Sequence, residues 1–202
     1  MSLVLLNRVL VKNRRLFIAL PVDDRALIKP LGSIYSDLNK YSSILKSVSI
    51  ENLHITMKFL GDVDEDKMLK MGDLFSSLEN PGSIEYTIKG AGCFPSLSAP
   101  SVIWAGIQCD MGIMSKLYSL VEDFCESFGF ERETRRFIPH LTVARVRRGK
   151  DIPPGLKEFI KSNKERVYGT SVFNRLVLFE SKLDKTGPEY ISLAEEIGRA
   201  HV

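Results

Sequence analysis

The chain is poor in the residues on which most catalytic and metal chemistry depends. It holds three histidines, three cysteines and one tryptophan in 202 residues. Cys93, Cys109 and Cys125 are odd in number, widely spaced and form no CxxC pair, which reads as reduced, structural thiols in a cytoplasmic protein. There is no HExxH and no HxH, so no local motif supplies the three or four ligands of a zinc site, and no metal is expected. No GxSxG elbow offers a serine nucleophile, and no GxxxxGK[ST] loop cradles a nucleotide. Cys125 falls on an apolar helical stripe, where burial explains it better than reactivity. No apolar run reaches the roughly 20 residues that span a bilayer, so no membrane partner is expected. Net charge is +3, too mild for a general duplex-DNA binder.

The N-terminus imitates a signal peptide but has the wrong order. Its apolar stretch comes first, Arg8 interrupts it, and the basic residues follow without a small-residue cleavage site. Residues 1–14 therefore read as an N-terminal extension, a start-site artefact or an expression remnant. Residues 15–202 are the expected folded unit, two small lobes packed as one bilobal domain. At 44% hydrophobic and 26% charged residues, this length supports a sizeable core.

What is present is a repeat. Two of the three histidines sit in matched tetrapeptides, His54-Ile55-Thr56-Met57 and His140-Leu141-Thr142-Val143. Successive strand side chains point to opposite faces. Each His therefore shares a polar face with its Thr, while the apolar residues turn toward a core. The bland reading is a strand histidine beside a β-favouring threonine. Six threonines in 202 residues make a Thr two places after a given His a roughly 3% event, and two such events together roughly one in a thousand, before the discount every short motif needs.

The surrounding pattern mixes helices and strands without strict alternation, which predicts α+β with antiparallel sheets. Strands are expected over 16–20, 46–50, 53–60, 84–89, 102–107, 140–146, 172–179 and 190–194. Gly61-Asp62 reads as a turn ending the first motif strand. Helices are expected after Asp23 or Asp24, kinked or shortened by Pro30 and Gly32. Others should follow Asp64, run from Ile113 to Phe128, and follow Pro153-Pro154. The motifs lie 140 − 54 = 86 residues apart. A duplicated lobe with a pseudo-two-fold axis would set the histidines across one central groove.

Two imidazoles and two hydroxyls suit phosphodiester chemistry. One His removes the proton of the incoming oxygen and the other protonates the departing one. An unperturbed pKa of about 6.5 lets histidine do either task. Thr hydroxyls can donate to the non-bridging oxygens. Phe59 and Arg145 stand five places beyond their respective histidines. In an ideal strand both would fall on the opposite face, so a bulge or a strand end must re-aim them if they join the site. Otherwise Phe59 packs in the core and Arg145 is a solvated strand-end charge. Arg132, Arg135, Arg136, Arg147, Arg148 and Lys150 surround the second motif, diluted by Glu131 and Glu133. Such a run is usually a solvated face, but beside a phosphate site it would also attract a polyanion.

The chain resembles the two-histidine phosphoesterases, most closely their RNA 2′,3′-cyclic phosphodiesterase branch, historically called 2′–5′ RNA ligase. The matching stretches are Arg-Leu-Phe-Ile-Ala from Arg15, Asn-Leu-His-Ile-Thr-Met-Lys-Phe-Leu-Gly from Asn52 and Gly-Cys-Phe-Pro from Gly92. Val-Ile-Trp-Ala-Gly from Val102 is similar to archaeal members. Phe-Ile-Pro-His-Leu-Thr-Val-Ala-Arg-Val from Phe137 and Gly-Pro-Glu-Tyr from Gly187 complete the set. The resemblance implies two pseudo-symmetric lobes of antiparallel sheet with packed helices around a central groove. It also implies cofactor-free, metal-independent hydrolysis of RNA 2′,3′-cyclic phosphate ends to 2′-phosphates, by a protein expected to be a monomer. By position, it makes His54 the proton donor and His140 the proton acceptor. Thr56, Thr142 and Arg145 become phosphate contacts, and Phe59 a base-stacking platform. ATP-independent 2′–5′ ligation at the same site and a non-catalytic RNA- or nucleotide-binding module are the competing readings.

Overall fold

The computed structural model describes residues 13–79, 82–183 and 187–198. Most of the expected N-terminal extension and His201 thus lie outside the described residues. Arg14 already belongs to the first strand, where its guanidinium meets Glu180 at 2.9 Å.

Two antiparallel sheets carry the chain. The first has the order β3-β1-β8-β9, from β1 (Arg14–Pro21), β3 (His54–Val63), β8 (Arg175–Leu183) and β9 (Pro188–Ile197). The second has the order β2-β6-β5-β4-β7, from β2 (Leu45–Ser47), β4 (Ile84–Phe94), β5 (Val102–Cys109), β6 (His140–Val146) and β7 (Val167–Phe173). The α+β class and the two-lobed architecture are as the sequence predicts. The lobes are not the two halves of the chain, however. The first sheet takes its strands from both ends, and the second takes the middle.

The helices bind the lobes together. α2 (Glu65–Phe75) packs on β9, and α3 (Met111–Ser127) packs on β3, so both cover the first sheet. Helices α1 (Ile28–Asn39) and α4 (Pro154–Ser162) cover the second, α1 against β2 and β7 and α4 against β4. α3 leaves and re-enters the second sheet, between β5 and β6, yet lies on the first. One continuous buried cluster, including Leu16, Ile18, Ile55, Phe75, Ile103, Leu117 and Leu141, runs through both lobes.

Several local expectations are corrected. Pro30 neither breaks nor kinks the first helix, because it falls in the opening turn, where no intrahelical N–H is required. Asp24 instead caps a short 3-10 turn before α1 by accepting from the Ala26 N–H. Gly61 does not end β3. With φ +71° it sits within the strand beside a register shift, and β3 continues to Val63. The expected strand over 46–50 shrinks to Leu45–Ser47, followed by a 3-10 turn at Ile50–Asn52. The expected strand over 172–179 is two strands that part at Asn174 and enter different sheets. The apolar stripe of α3 expected at Ile113, Leu117, Leu120, Phe124 and Phe128 does pack on the core, but only Leu117 of it is fully buried; the buried line is rotated slightly and runs through Met114, Leu117, Val121, Glu122 and Cys125.

That rotation buries Glu122, and the reason lies on β3. The Lys58 ammonium is buried against the Glu122 carboxylate at 2.8 Å and also donates to the Glu131 carbonyl at 2.6 Å. The Glu133 N–H donates to the same carboxylate oxygen at 3.0 Å. Removing one partner of such a pair strands a buried charge. Lys58→Met should therefore lower unfolding free energy by about 3–5 kcal/mol in urea titrations. Lys58→Met combined with Glu122→Leu should regain more than half of that loss. A double variant as unstable as the single would show that packing, rather than charge, dominates here.

Candidate active site

Both motif strands contain the same irregularity. In the β1–β3 pairing, Ile18 faces Lys58 and Ala19 faces Thr56, so Met57 is an extra residue. In the β5–β6 pairing, Ile103 faces Ala144 and Trp104 faces Thr142, so Val143 is extra. A one-residue bulge reverses the alternation of everything after it. Met57 and Lys58 both turn inward, and so do Val143 and Ala144. Phe59 and Arg145 consequently come round to the face of His54 and His140. Phe59 is 67% exposed, which excludes the core role that ideal alternation gives it. Its ring centroid lies 6.2 Å from that of Phe17, which is itself 4.9 Å from His54.

The two histidines are held alike. His54 Nδ1 lies 2.7 Å from the Asn52 carbonyl oxygen, and His140 Nδ1 lies 2.7 Å from that of Ile138. A carbonyl only accepts, so each Nδ1 carries the proton in both charge states. In each neutral ring Nε2 is therefore the basic nitrogen. Each imidazole also meets aromatic neighbours. Phe17 and Tyr190 flank His54 at 4.9 and 5.2 Å, and Phe94 meets His140 edge-on at 4.9 Å. Trp104 stands 6.2 Å from His140. Its ring crosses β4 at Gly92, where a Cβ would lie 2.2 Å from the indole. Gly92 is thus needed to let the indole lie across the sheet and support Phe94, whose ring is 5.3 Å away.

Burial pushes both imidazoles below their ordinary pKa, partly offset by the carbonyl each ring donates to. The Arg145 cation lowers both further, and the charge of His140 adds to the effect on His54. The same cation opposes the burial that raises the Tyr190 hydroxyl. One guanidinium thus lies within electrostatic reach of His54, His140 and Tyr190. Arg145 makes no ion pair with a described residue, whereas Arg132 is engaged by Asp123 and Glu126, and Arg135 by Glu133. Thr56 and Thr142 are half-buried on the histidine faces. All six residues singled out in the sequence are therefore placed on the matching faces of the two motif strands. Tyr190, Phe17, Phe94 and Trp104 were not singled out. Their signal was the aromatic content of the short stretches that carry the resemblance.

Among the described residues no three His, Cys, Asp or Glu side chains converge to hold a metal ion, and no helix is long and apolar enough to cross a membrane. Cys125 is fully buried, and burial raises its thiol to about 12.

Paired His-x-Thr strands, one from each of two antiparallel sheets, define the class of two-histidine phosphoesterases. The LigT-like phosphoesterase family matches residues 22–104 and 111–190, and the chain belongs to that family. It is 34% identical over 182 residues to an RNA 2′,3′-cyclic phosphodiesterase of Archaeoglobus fulgidus, covering 89% of this chain and 97% of the relative. It is 32% identical over 181 residues to one of Methanocaldococcus jannaschii, covering 90% and 99%. The fold is shared with a crystal structure of TT0787 from Thermus thermophilus, at TM-score 0.71 and 23% identity over 93% of this chain and all of that one. It is shared too with Escherichia coli LigT crystallised with 3′-AMP, at TM-score 0.68 and 22% identity over 92% and 98%.

The lowered imidazole pKa values tie stability to pH. Unfolded histidines titrate near about 6.5. Between that value and the lower folded ones, the unfolded chain binds more protons, so stability falls as pH falls. Their contribution is fully present above about pH 6.5 and is lost as pH drops through the folded pKa values. Urea midpoints should therefore decline between pH 7.5 and 5.5, and the decline should be shallower in His54→Ala and His140→Ala. An equal decline in all three proteins would place the titrating groups elsewhere.

Proposed function

We propose that the chain hydrolyses RNA 2′,3′-cyclic phosphate ends to 2′-phosphates by paired-histidine acid–base catalysis, without metal or cofactor. The observation that carries this reading is the duplicated strand device. Each strand offers an imidazole tethered through Nδ1, a Thr hydroxyl on the same face and a side chain re-aimed by a bulge. The relatives' shared description as RNA 2′,3′-cyclic phosphodiesterases supports the substrate class.

In this reaction His140 Nε2 takes a proton from water as its oxygen attacks phosphorus in line. His54 Nε2 gives a proton to the 3′-oxygen as the P–O3′ bond breaks. The 2′-phosphate stays on the ribose. Thr56, Thr142 and Arg145 donate to the non-bridging oxygens, where a charge-assisted Arg contact is the strongest of the three. Phe59 offers an exposed ring to the terminal base. The enzyme works as a monomer in the reducing cytoplasm, which suits its three free cysteines.

The direct test is turnover of a cyclic-phosphate-ended oligonucleotide in EDTA, with mapping of the product phosphate. Undiminished release of 2′-phosphate is expected. Full loss in EDTA, restored by zinc or manganese, would overturn the metal-free reading. His54→Ala and His140→Ala should each cost roughly a hundred- to ten-thousand-fold in turnover. On a nitrophenyl phosphodiester, whose leaving group needs no proton, the His54 variant should recover much of its rate and the His140 variant should not. The reverse pattern would exchange their roles. Because both imidazoles are depressed in the free protein, kcat/KM should peak on the acid side of about pH 6.5. The optimum for kcat should lie higher, since a bound phosphate anion favours imidazolium.

Arg145→Ala should weaken turnover of every substrate. Phe59→Ala should mainly change the preference among terminal bases, read as kcat/KM across the four nucleoside 2′,3′-cyclic phosphates. Base-independent losses in the Phe59 variant would deny it a stacking role.

A further inference from the structure

On the His140 face of the second sheet, a row of side chains runs one strand further than the paired-histidine chemistry uses. Strand register defines it. Phe94 faces Val102 across β4–β5, Val102 faces Arg145 across β5–β6, and Arg145 faces Lys46 across β6–β2. Directly opposite residues of an antiparallel pair share a face, so Lys46 projects on the side of Arg145, with Cβ atoms about 4.5–5.5 Å apart. Two members of this row already belong to the site. The Arg145 charge acts on both imidazoles, and the Phe94 ring meets His140 edge-on. The short strand β2 is pinned at both ends. The Val48 N–H donates to the Val143 carbonyl at 2.9 Å, and the Arg147 N–H donates to the Ile44 carbonyl at 2.8 Å. Lys46 itself is exposed and makes no ion pair with a described residue.

Like charges directly opposite each other destabilise a strand pair. A lysine on an edge strand can deter pairing with other chains, but that duty does not call for a place beside the guanidinium that serves the site. The repulsion is relieved when each cation meets an anion. The reacting phosphate takes Arg145 and leaves Lys46 in want of a second. An RNA end supplies one at a fixed distance, in the phosphodiester that joins the terminal nucleotide to the one before it. The base and the 5′-carbon leave the ribose from opposite ends of the C2′–C3′ edge that carries the cyclic phosphate. Phe59, whose ring is offered to the base, lies further along β3 from His54. Lys46 lies the other way, on the strand that leads into His54 through the 3-10 turn Ile50–Asn52. With the base toward Phe59, the 5′-carbon points toward the Lys46 side.

We propose that Lys46 is the cation of a second phosphate subsite, which binds the phosphodiester on the 5′ side of the terminal nucleotide, a proposal that rests on the cyclic phosphodiesterase reading given above. Arg145 holds the reacting phosphate and Lys46 holds the one before it. The enzyme thereby distinguishes an RNA end from a free nucleoside 2′,3′-cyclic phosphate, which has no such phosphodiester. The ammonium is a point charge without a fixed fork, so it meets either non-bridging oxygen and reads no base. It takes no part in the bond changes at phosphorus.

The test compares kcat/KM for adenosine 2′,3′-cyclic phosphate with that for ApA ending in a 2′,3′-cyclic phosphate, which adds one phosphodiester. The full chain should favour the dinucleotide, and added salt should shrink that advantage. Adenosine 5′-phosphate 2′,3′-cyclic phosphate, which adds the phosphate without a second base, should share the advantage. Lys46→Ala should cut the dinucleotide-to-mononucleotide ratio about five-fold, the worth of one strong ion pair at an exposed site, and mainly through KM. Lys46→Arg should keep the ratio, and Lys46→Glu should push it below that of Lys46→Ala. A ratio unaltered in all three variants would leave Lys46 as an edge-strand guard. Equal losses on all substrates would place it on the reacting phosphate instead. Either result overturns the subsite while hydrolysis stands. Failure of the unsubstituted chain to open any of these cyclic phosphates would instead defeat the reaction proposed for the whole site.

Discussion

The buried Lys58–Glu122 pair is the constraint through which the two halves of the site are joined. Lys58 faces inward only because the bulge at Met57 reverses the strand. An ammonium placed there needs a buried anion, and Glu122 of α3 provides it at 2.8 Å. That contact seats a helix belonging to the second lobe's connection on the first lobe's motif strand. It also fixes the segment after α3, through the Glu131 carbonyl and the Glu133 amide. A few residues later the same segment becomes Ile138, Pro139 and His140. The path from one motif to the other is therefore short and charge-defined. A buried ion pair contributes little net stability compared with well-packed apolar residues. Its value here is geometric, since it ties the placement of His140 to the strand that holds His54.

Much of the site was legible because strand alternation is a local rule. The matched His-x-Thr pairs and their shared faces followed from period two alone. For Phe59 and Arg145 the same rule gave the wrong face, and only a bulge could reconcile them with the motif. Both strands have it. Its position depends on how β1 and β5 pair with them, which no single strand encodes. Lys58 shows the limit more sharply. In the sequence it is an ordinary strand lysine, and its burial depends on Glu122 of α3, 64 residues further along the chain. The crossing of the helices between lobes was likewise invisible, because hydrophobic periodicity says that a helix is amphipathic but not which sheet it covers. Tyr190 reached the site only through the pairing of β9 with β8, at the opposite end of the chain from His54.

The electrostatics follow from this framework. Two near-identical imidazoles, each donating Nδ1–H to a carbonyl two residues back, have no built-in difference between acid and base. Asymmetry comes from the surroundings. Phe17 and Tyr190 flank His54, and Arg145 on the other motif strand is within electrostatic reach of both rings. In the free protein these effects favour neutral rings. On the proposed function, a phosphate bound between the two motif strands would reverse the balance by adding an anion beside Arg145 and the imidazoles. On that proposal it is the ligand itself that charges the acid.

That claim has a direct measurement in the nitrogen spectra of 15N-histidine-labelled protein, with the two rings assigned from the single histidine variants. Both rings should be Nδ1-protonated when neutral and should titrate below about 6.5 in the free protein. Both should titrate higher once a nucleoside 2′-phosphate is bound. A neutral ring protonated on Nε2, or a ligand that moves only one of the two imidazoles, would contradict a single phosphate held between His54 and His140.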